Sequence, residues 1–344
     1  MAVNLKTLSE QLGLSQTTVS RGLNGYPDVS ETTRKRILEA AKKYNYSPNS
    51  RAKSLATGKS RTIGHVIPTN SQHEMVNPIF GDFVAGASTV YAENGYSMLL
   101  TRVPEDAEID TYNRMKSSGA VDGIVLQGPS VDDKRIDFLR KLDIPYAVHG
   151  RSSGITSDYP WVDVNNRRAF QRATDLLLDL GHRNIALLNG LEVMDFAGRR
   201  KQGFIDAFKK RSIEASPDLI FSAEMTEAYG YKVTTEVLAT GSPPTAFLSS
   251  SLITALGIRR AIEDQGLRMG RDISVVTHDD MLSYLPNGDS EPVFTATRSS
   301  VSLAGRILAQ MLIEKIEEKS KGPDAHLLEA ELVLGQSTGP VSVR

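Results

Sequence analysis

The sequence predicts a small all-α domain at the N-terminus, followed by an α/β core of two lobes. Leucines recur at helical spacing within the first 25 residues. From Arg61 onward, short β-rich runs alternate with amphipathic runs, a pattern typical of parallel sheets covered by helices on both faces. Because this alternation occurs twice, we expect two doubly wound parallel sheets that face each other across a cleft.

The N-terminal residues predict two short helices that meet at a tight turn. Leu5, Leu8 and Leu12 share one helix face, Gly13 can end that helix, and Ser15 can cap the next. Val19 and Leu23 would face inward, which turns the polar residues of the second helix outward: Gln16, Thr17, Thr18, Ser20 and Arg21. Such a helix-turn-helix reads DNA by placing the start of its second helix in the major groove.

A third amphipathic run, Ser30–Tyr44, completes this unit. Residues 1–61 hold eleven Lys and Arg against four acidic residues, or +7, whereas the remaining residues carry −8. A local excess of that size suits a polyanion such as DNA. The alternative is a small helical bundle whose basic residues are only solvated.

Pro48 predicts the end of the helical unit, and a connector follows. Asn49–Ala56 could form one short helix, which would be marginal in water without a packing partner. A flexible linker is the other interpretation, because residues 57–60 are small or polar. The residues alone leave both open.

Functional residues of the core are expected at the carboxyl ends of its strands, where open α/β sheets bind ligands. We expect three aromatic side chains to offer faces for sugar stacking: Phe80, Phe196 and Trp161. The polar candidates are His149, Arg151, Arg200, Ser251 and Asp279. A surface position for Arg200 and a strand-end cap formed by Asp279 and Asp280 are the structural alternatives.

Several classes of protein are not favoured. The chain has no cysteine, its six histidines are scattered, and neither a G-x-G-x-x-G nor a phosphate-loop motif occurs, so we expect no metal, no cofactor and no enzyme. No apolar signal segment begins the chain, and no run approaches about 18 apolar residues, which predicts a cytoplasmic protein. A periplasmic-type sugar-binding protein without DNA function and a structural adaptor are the alternatives.

Long segments of the chain resemble the lactose-repressor/galactose-repressor (LacI/GalR) family of bacterial transcription regulators. The resemblance covers nearly the whole sequence, including TLSEQLGLSQTTVSRGLNG, VSETTRKRILEAAKKYNYSPN, RAKSLATGKSRTIGHVIP, LGHRNIALLNG, RRKQGF and GRDISVVTHDD. It implies a helix-turn-helix headpiece on a periplasmic-binding-protein-like core, a sugar effector, and a homodimer on pseudo-palindromic operator DNA.

The resemblance also implies residue roles on the DNA side. Residues 1–46 would form the headpiece, 47–60 a hinge helix, and 61–344 the core. Ala52 and Leu55 fall in the hinge, with Leu55 at the position of a leucine wedged into the minor groove. We expect Gln16, Thr17 and Arg21 to read bases, and the positioning contacts to come from Thr18, Ser20, Asn24 and Tyr46.

In the core, Arg200 and Asp279 match the family residues that hold effector hydroxyls. Ser251 and Leu252 stand where the family usually has asparagine and aspartate, so the family's ligands cannot simply be carried across. Segments such as WVDVNNRRAF and NGLEVMDFAGRR look most like α-glucoside-utilisation repressors. The family's three lobe crossings would fall near residues 161, 291 and 323, giving an N-terminal lobe of 61–161 with 292–323 and a C-terminal lobe of 162–291 with 324–344.

Overall fold

The computed structural model describes residues 3–46, 58–68, 76–319 and 324–341. The chain divides into two compact units, Met1–Arg61 and Thr62–Arg344. The first unit contains helices α1 (Leu5–Leu12), α2 (Gln16–Leu23) and α3 (Glu31–Lys43). Gly13 ends α1 in the left-handed conformation, at φ 64°, and Ser15 and Ser30 cap α2 and α3. The predicted helix-turn-helix is confirmed.

The headpiece helices share one small core. Leu8, Val19 and Ile37 are fully buried, one from each helix, and Leu12 and Ala41 complete the contact. Gly22 lets α3 approach α2, because a Cβ at this position would lie 2.5 Å from Cδ1 of Ile37. This packing fixes the face of α2 that points away from α3.

The first lobe of the core is a six-stranded sheet in the order β11-β5-β4-β3-β1-β2, and all neighbouring strands run parallel. Its strands are β1 (Thr62–Pro68), β2 (Ser97–Val103), β3 (Gly123–Gln127), β4 (Tyr146–His149), β5 (Trp161–Val164) and β11 (Ala325–Leu328). Its helices are α4 (Pro78–Glu93), α5 (Glu108–Ser117), α6 (Lys134–Lys141) and α11 (Val301–Ile316), with a 3₁₀ turn at Glu105–Ala107.

The second lobe is a six-stranded sheet in the order β12-β10-β9-β8-β6-β7, parallel except for the antiparallel pair β10–β12. Its strands are β6 (Ile185–Asn189), β7 (Ile220–Ser222), β8 (Ala246–Ser249), β9 (Ser274–Asp279), β10 (Thr295–Arg298) and β12 (Glu331–Val333). Its helices are α7 (Asn166–Asp179), α8 (Asp195–Lys210), α9 (Glu227–Leu238) and α10 (Leu252–Asp264), with a 3₁₀ turn at Pro217–Leu219.

The chain crosses between the lobes later than the sequence interpretation placed it. Strand β5, which ends at Val164, belongs to the first sheet, so the first crossing falls at residue 165 instead of 161. Strand β10 belongs to the second sheet, and helix α11 packs on α4 of the first lobe, which puts the second crossing near 299 instead of 291. The third crossing lies between β11 and β12, near 329 instead of 323.

Close helix packing in each lobe depends on a glycine. A Cβ on Gly203 of α8 would lie 2.0 Å from the carbonyl oxygen of Arg167 in α7. In the first lobe, a Cβ on Gly86 of α4 would lie 2.1 Å from the carbonyl oxygen of Ser302 in α11. Within the described ranges, no helix combines the length and the apolar character needed to cross a membrane.

Candidate DNA-binding and effector sites

The N-terminal end of α2 presents polar side chains outward. Gln16 and Thr17 are exposed, while Thr18 and Ser20 are half-buried. The Ser15 hydroxyl accepts a hydrogen bond from the backbone N–H of Thr18 at 3.0 Å, which fixes the first turn of the helix. Gln16 and Thr17 therefore lie on the solvent-exposed face at the start of α2.

The other predicted DNA contacts differ in their surroundings. The side-chain amide of Asn24 donates to the carbonyl of Ser20 at 2.8 Å, and Tyr46 is half-buried against the headpiece core. Burial raises the pKa of Tyr46. Ala52 and Leu55 lie outside the described residues, so their hinge roles stay predictions.

Two arginines of the basic headpiece serve its own structure. Arg34 donates through Nη2 to the carbonyl of Tyr26 at 2.9 Å, and Arg36 donates through Nη2 to the carbonyl of Leu12 at 2.8 Å. Arg21 lies at the end of α2 and pairs with Asp28, with 2.7 Å between Nε and Oδ2. The positive charge of the headpiece is thus partly organised by internal contacts.

In the core, Arg200 of α8 is buried between aromatic rings and polar groups. Its guanidinium lies over Phe196 and Phe170, with Cζ 4.9 and 5.0 Å from the ring centroids. Nε donates to Oδ1 of Asn166 at 2.7 Å, and Nη1 donates to the carbonyl of Ser250 at 2.6 Å. Burial lowers the pKa of Arg200 to about 10, against the opposing attraction of Asp280 and Asp163.

A chain of hydrogen bonds runs from Arg200 across the first lobe crossing. The amide of Asn166, which accepts from Arg200, donates to Oδ1 of Asp163 at 3.3 Å. Oδ2 of Asp163 accepts from Nε of Arg151 at 2.7 Å. Two predicted effector residues on different lobes are therefore joined through Asp163 and Asn166, neither of which the sequence had identified.

The acidic residues after β9 have separate environments. Asp279 accepts from the backbone N–H of Met281 at 2.8 Å and from Nε of Arg298 at 3.2 Å, so both of its carboxylate oxygens already have protein partners. Burial raises the pKa of Asp280 to about 7, against the attraction of Arg200 and together with the repulsion of Asp279. Asp280, which the sequence suggested as part of a strand-end cap, is one of two carboxylates whose charge acts on Arg200, the other being Asp163.

His278 precedes these acids and is fully enclosed. Its Nδ1 lies 3.0 Å from Oγ1 of Thr297, and its Nε2 lies 3.2 Å from Oγ of Ser299 and 3.6 Å from Oδ1 of Asp280. Burial, and then the nearby charge of Arg200, lowers the pKa of His278 well below its ordinary value. This histidine is therefore a neutral structural element.

The serine run after β8 is buried and internally bonded. Ser251 caps α10, since its hydroxyl accepts from the backbone N–H of Thr254 at 3.2 Å. The Ser250 hydroxyl donates to Oδ1 of Asn189 at 2.8 Å, at the end of β6. This predicted effector residue, Ser251, thus has a defined helix-capping role in the structure.

In the first lobe, His149 at the end of β4 stacks on Phe83, with 4.2 Å between ring centroids. Burial lowers the pKa of His149 to about 4, which keeps its ring neutral. Phe80, one helical turn before Phe83, is buried in the first turn of α4.

Arg151 and Trp161 border a different surface. The Arg151 guanidinium lies 4.9 Å from the Trp161 ring centroid, and both residues line an open groove of about 930 Å³ together with Tyr146 and Arg199. The other predicted effector residues do not line this groove. Arg151 therefore lies apart from the other predicted effector residues, and its link to Arg200 runs through the hydrogen bond to Asp163.

Two sets of contacts join the lobes at the carboxyl ends of their strands. Oδ2 of Asp195, at the start of α8, accepts from the backbone N–H of Ser153 at 2.6 Å, and Arg199 donates to the Ser153 hydroxyl at 2.9 Å. Elsewhere, Asp82 of α4 accepts from the backbone N–H of Ser283 at 2.6 Å and from its hydroxyl at 2.5 Å. Opening the cleft must break these bonds.

A helix-turn-helix headpiece and a core whose two lobes meet at buried polar side chains are the parts of a ligand-responsive DNA-binding regulator. Residues 5–49 match the model described as bacterial regulatory proteins, lacI family, and residues 174–338 match a periplasmic binding protein-like domain. The regulator AglR of Rhizobium meliloti (strain 1021) is 44% identical, covering 100% of this chain and 96% of AglR. The Escherichia coli regulator RafR is 31% identical, with coverage of 92% and 93%.

Solved structures agree with this result. The lac repressor dimer bound to operator and the anti-inducer ONPF superposes with a TM-score of 0.84 at 25% identity, covering 98% of this chain and 100% of that one. The CelR–cellobiose complex gives a TM-score of 0.71 at 26% identity, with coverage of 97% and 99%. The chain belongs to the lacI family of bacterial regulatory proteins, which is a family of transcription regulators.

Proposed function

We propose that this protein is a cytoplasmic, nucleoid-associated repressor of carbohydrate-utilisation genes that binds a pseudo-palindromic operator as a homodimer and responds to a small sugar in the cleft. It has no catalytic activity of its own. The observation that carries the proposal is the buried Arg200, which donates hydrogen bonds to Asn166 and Ser250 and is attracted by the charge of Asp280. It occurs in a chain whose N-terminal unit is a helix-turn-helix.

On the DNA side, one headpiece presents few base-reading side chains. High affinity therefore requires two headpieces on one site, and a two-fold symmetric dimer supplies them. Gln16, Thr17 and Arg21 are proposed to read bases, because they lie on the outward face of α2. Leu55 would wedge into the minor groove, so Leu55→Ala should weaken operator binding strongly and leave effector affinity unchanged.

On the effector side, the proposed ligand is neutral and rich in hydroxyls. Arg200 offers donors, Asp280 offers acceptors, and Phe196 offers a ring face for an apolar sugar face. Asp279, whose two oxygens each already accept one hydrogen bond, can accept a second one at each. A charged ligand would have to compete with the electrostatic attraction between Arg200 and Asp280. The cellobiose complex of CelR, similar in fold and sequence, supports a disaccharide-sized ligand, and the sequence resemblance favours an α-glucoside.

Ligand control follows from the contacts between the lobes. A sugar that contacts both lobes binds one arrangement of the lobes more tightly than another, and the difference between its affinities for the two arrangements sets the coupling. A coupling of about 1–3 kcal/mol changes operator occupancy many-fold.

The test combines two measurements on the purified chain. A randomised duplex library is selected with the protein, and the enriched duplex is measured against a scrambled one at fixed salt. A thermal-shift screen then covers α-linked disaccharides, cellobiose and monosaccharide phosphates. We expect an enriched palindromic duplex and stabilisation by a neutral disaccharide. A protein that binds sugar but enriches no duplex would instead fit the periplasmic-type alternative.

A further inference from the structure

Arg21 of the headpiece is held by two residues of the loop between α2 and α3. Its Nε lies 2.7 Å from Oδ2 of Asp28, in an ion pair that lacks hydrogen-bond alignment. Its Cζ lies 4.6 Å from the ring centroid of Tyr26. The Arg21 guanidinium is thus held at Nε by the Asp28 carboxylate and on one face by the Tyr26 ring.

The loop that carries these two residues is itself anchored. The backbone N–H of Tyr26 donates to the carbonyl of Arg21 at 3.1 Å, and Arg34 donates to the carbonyls of Tyr26 and Val29 at 2.9 and 3.4 Å. Val29 is buried in the headpiece core. Asp28 therefore acts on Arg21 from a fixed position.

Stability does not account for this ion pair. The Arg21 and Asp28 side chains are 43% and 52% exposed, and exposed pairs contribute little to folding. The pair also places a carboxylate beside a DNA-facing helix, where it repels phosphates in every sequence. The effect of this ion pair that remains to be explained is the position in which it holds the Arg21 side chain.

Arginine reads guanine through two parallel N–H groups that meet O6 and N7. Because Asp28 engages Nε, the two Nη groups are left for this end-on contact, and no hydrogen bond within the described residues uses them. Holding the side chain in advance also removes part of the rotamer entropy that binding would otherwise cost.

We infer that Asp28 is a positioning residue that sets base discrimination, lowering affinity for all DNA while increasing the preference for guanine opposite Arg21. The inference rests on the DNA-binding function. A failure of that function would appear as no enriched duplex, whereas a failure of the inference would appear only among the variants.

The experiment compares variants on three duplexes: the one enriched by the wild-type chain, a copy with the guanine contacted by Arg21 replaced, and a scrambled one. The variants are Asp28→Asn, Asp28→Glu and Glu31→Gln, which removes a charge from an exposed residue three positions away. Asp28→Asn is repeated in an Arg21→Ala background, and far-UV circular dichroism checks that each headpiece is folded.

We expect Asp28→Asn to bind the scrambled duplex more tightly and to lose about tenfold in discrimination against the guanine replacement. Asp28→Glu should recover most of that discrimination. Glu31→Gln should shift all three affinities together, and Asp28→Asn should have no effect on discrimination once Arg21 is alanine. The inference is overturned if Asp28→Asn and Glu31→Gln behave alike, or if the effect of Asp28→Asn persists without Arg21.

Discussion

Asp280 gives the core a pH dependence that a single substitution should remove. Its pKa is raised from 3.8 to about 7 by burial in the cleft, while Arg200 opposes the rise. Between these two values the folded state binds more protons at this site than the unfolded state does. The free energy of unfolding therefore falls as the pH rises from about 4 to about 7, and it falls no further above that.

The size of the effect follows from the two pKa values. At about 1.4 kcal/mol for each pH step, ionised Asp280 costs at most about 4 kcal/mol at pH 8, and about 2–3 kcal/mol of that appears between pH 5 and pH 8. Asp280→Asn is neutral throughout this range. The variant should thus gain stability relative to the wild type by about 2–3 kcal/mol as the pH rises from 5 to 8.

The assay is denaturant unfolding at pH 5, 6, 7 and 8, followed by the fluorescence of Trp161, the single tryptophan, which reports on the core. A histidine of the other lobe, such as His149, titrates in both proteins and cancels in the difference. Asp218→Asn, at an exposed carboxylate, serves as the control and should leave the profile unchanged. A stability difference that stays constant from pH 5 to pH 8 would refute the reasoning.

Three further predictions test the cleft and the packing. Arg200→Lys keeps the charge but loses the fixed geometry toward its two partners, so calorimetry should show an effector affinity at least about tenfold weaker with operator binding retained; unchanged affinity would place the effector elsewhere. Gly203→Ala should lower the free energy of unfolding by about 2 kcal/mol or more, because its Cβ would meet a backbone carbonyl of α7. The control Gly198→Ala, on the same helix, meets no atom within 4 Å and should raise the free energy of unfolding by about 0.5–1 kcal/mol. Equal melting temperatures for the two variants would contradict this packing. Ser283→Ala removes the hydrogen bond from the Ser283 hydroxyl to Asp82, so an effector that binds between closed lobes should bind about fivefold more weakly. A binding titration identical to that of the wild type would show that this contact does not hold the lobes together.

Much of the fold could be predicted because its signals are local. The headpiece has helical spacing of its buried residues, such as Leu8, Leu12 and Val19, and serine caps at Ser15 and Ser30. Its helices can therefore be predicted from residues that are close in the sequence. The short strands β5 and β7, of four and three residues, carry too little alternation to be recognised. The lobe crossings implied by the family resemblance fall a few residues too early. A strand pattern alone would not have placed them, because it does not reveal which of two sheets a strand joins.

The site was predicted in part for the same reason. Arg200 and Phe196 stood out, as a cation and an aromatic ring on one helix after a strand. The role of Asp163 depends on a pairing with Arg151 twelve residues away, and the contrast between Asp279 and Asp280 depends on Arg298, which β10 places in register beside Asp279. Such pairings arise only when strands have assembled, and a single sequence does not display them.

The central claim is that binding of a sugar to the core changes the affinity of the headpiece for DNA. The most direct measurement is fluorescence anisotropy of a labelled, selected duplex titrated with the full chain at constant salt, with and without a saturating α-linked disaccharide. We predict a change of at least about fivefold in the dissociation constant for the duplex. An unchanged constant, with calorimetry showing the sugar fully bound, would contradict the account.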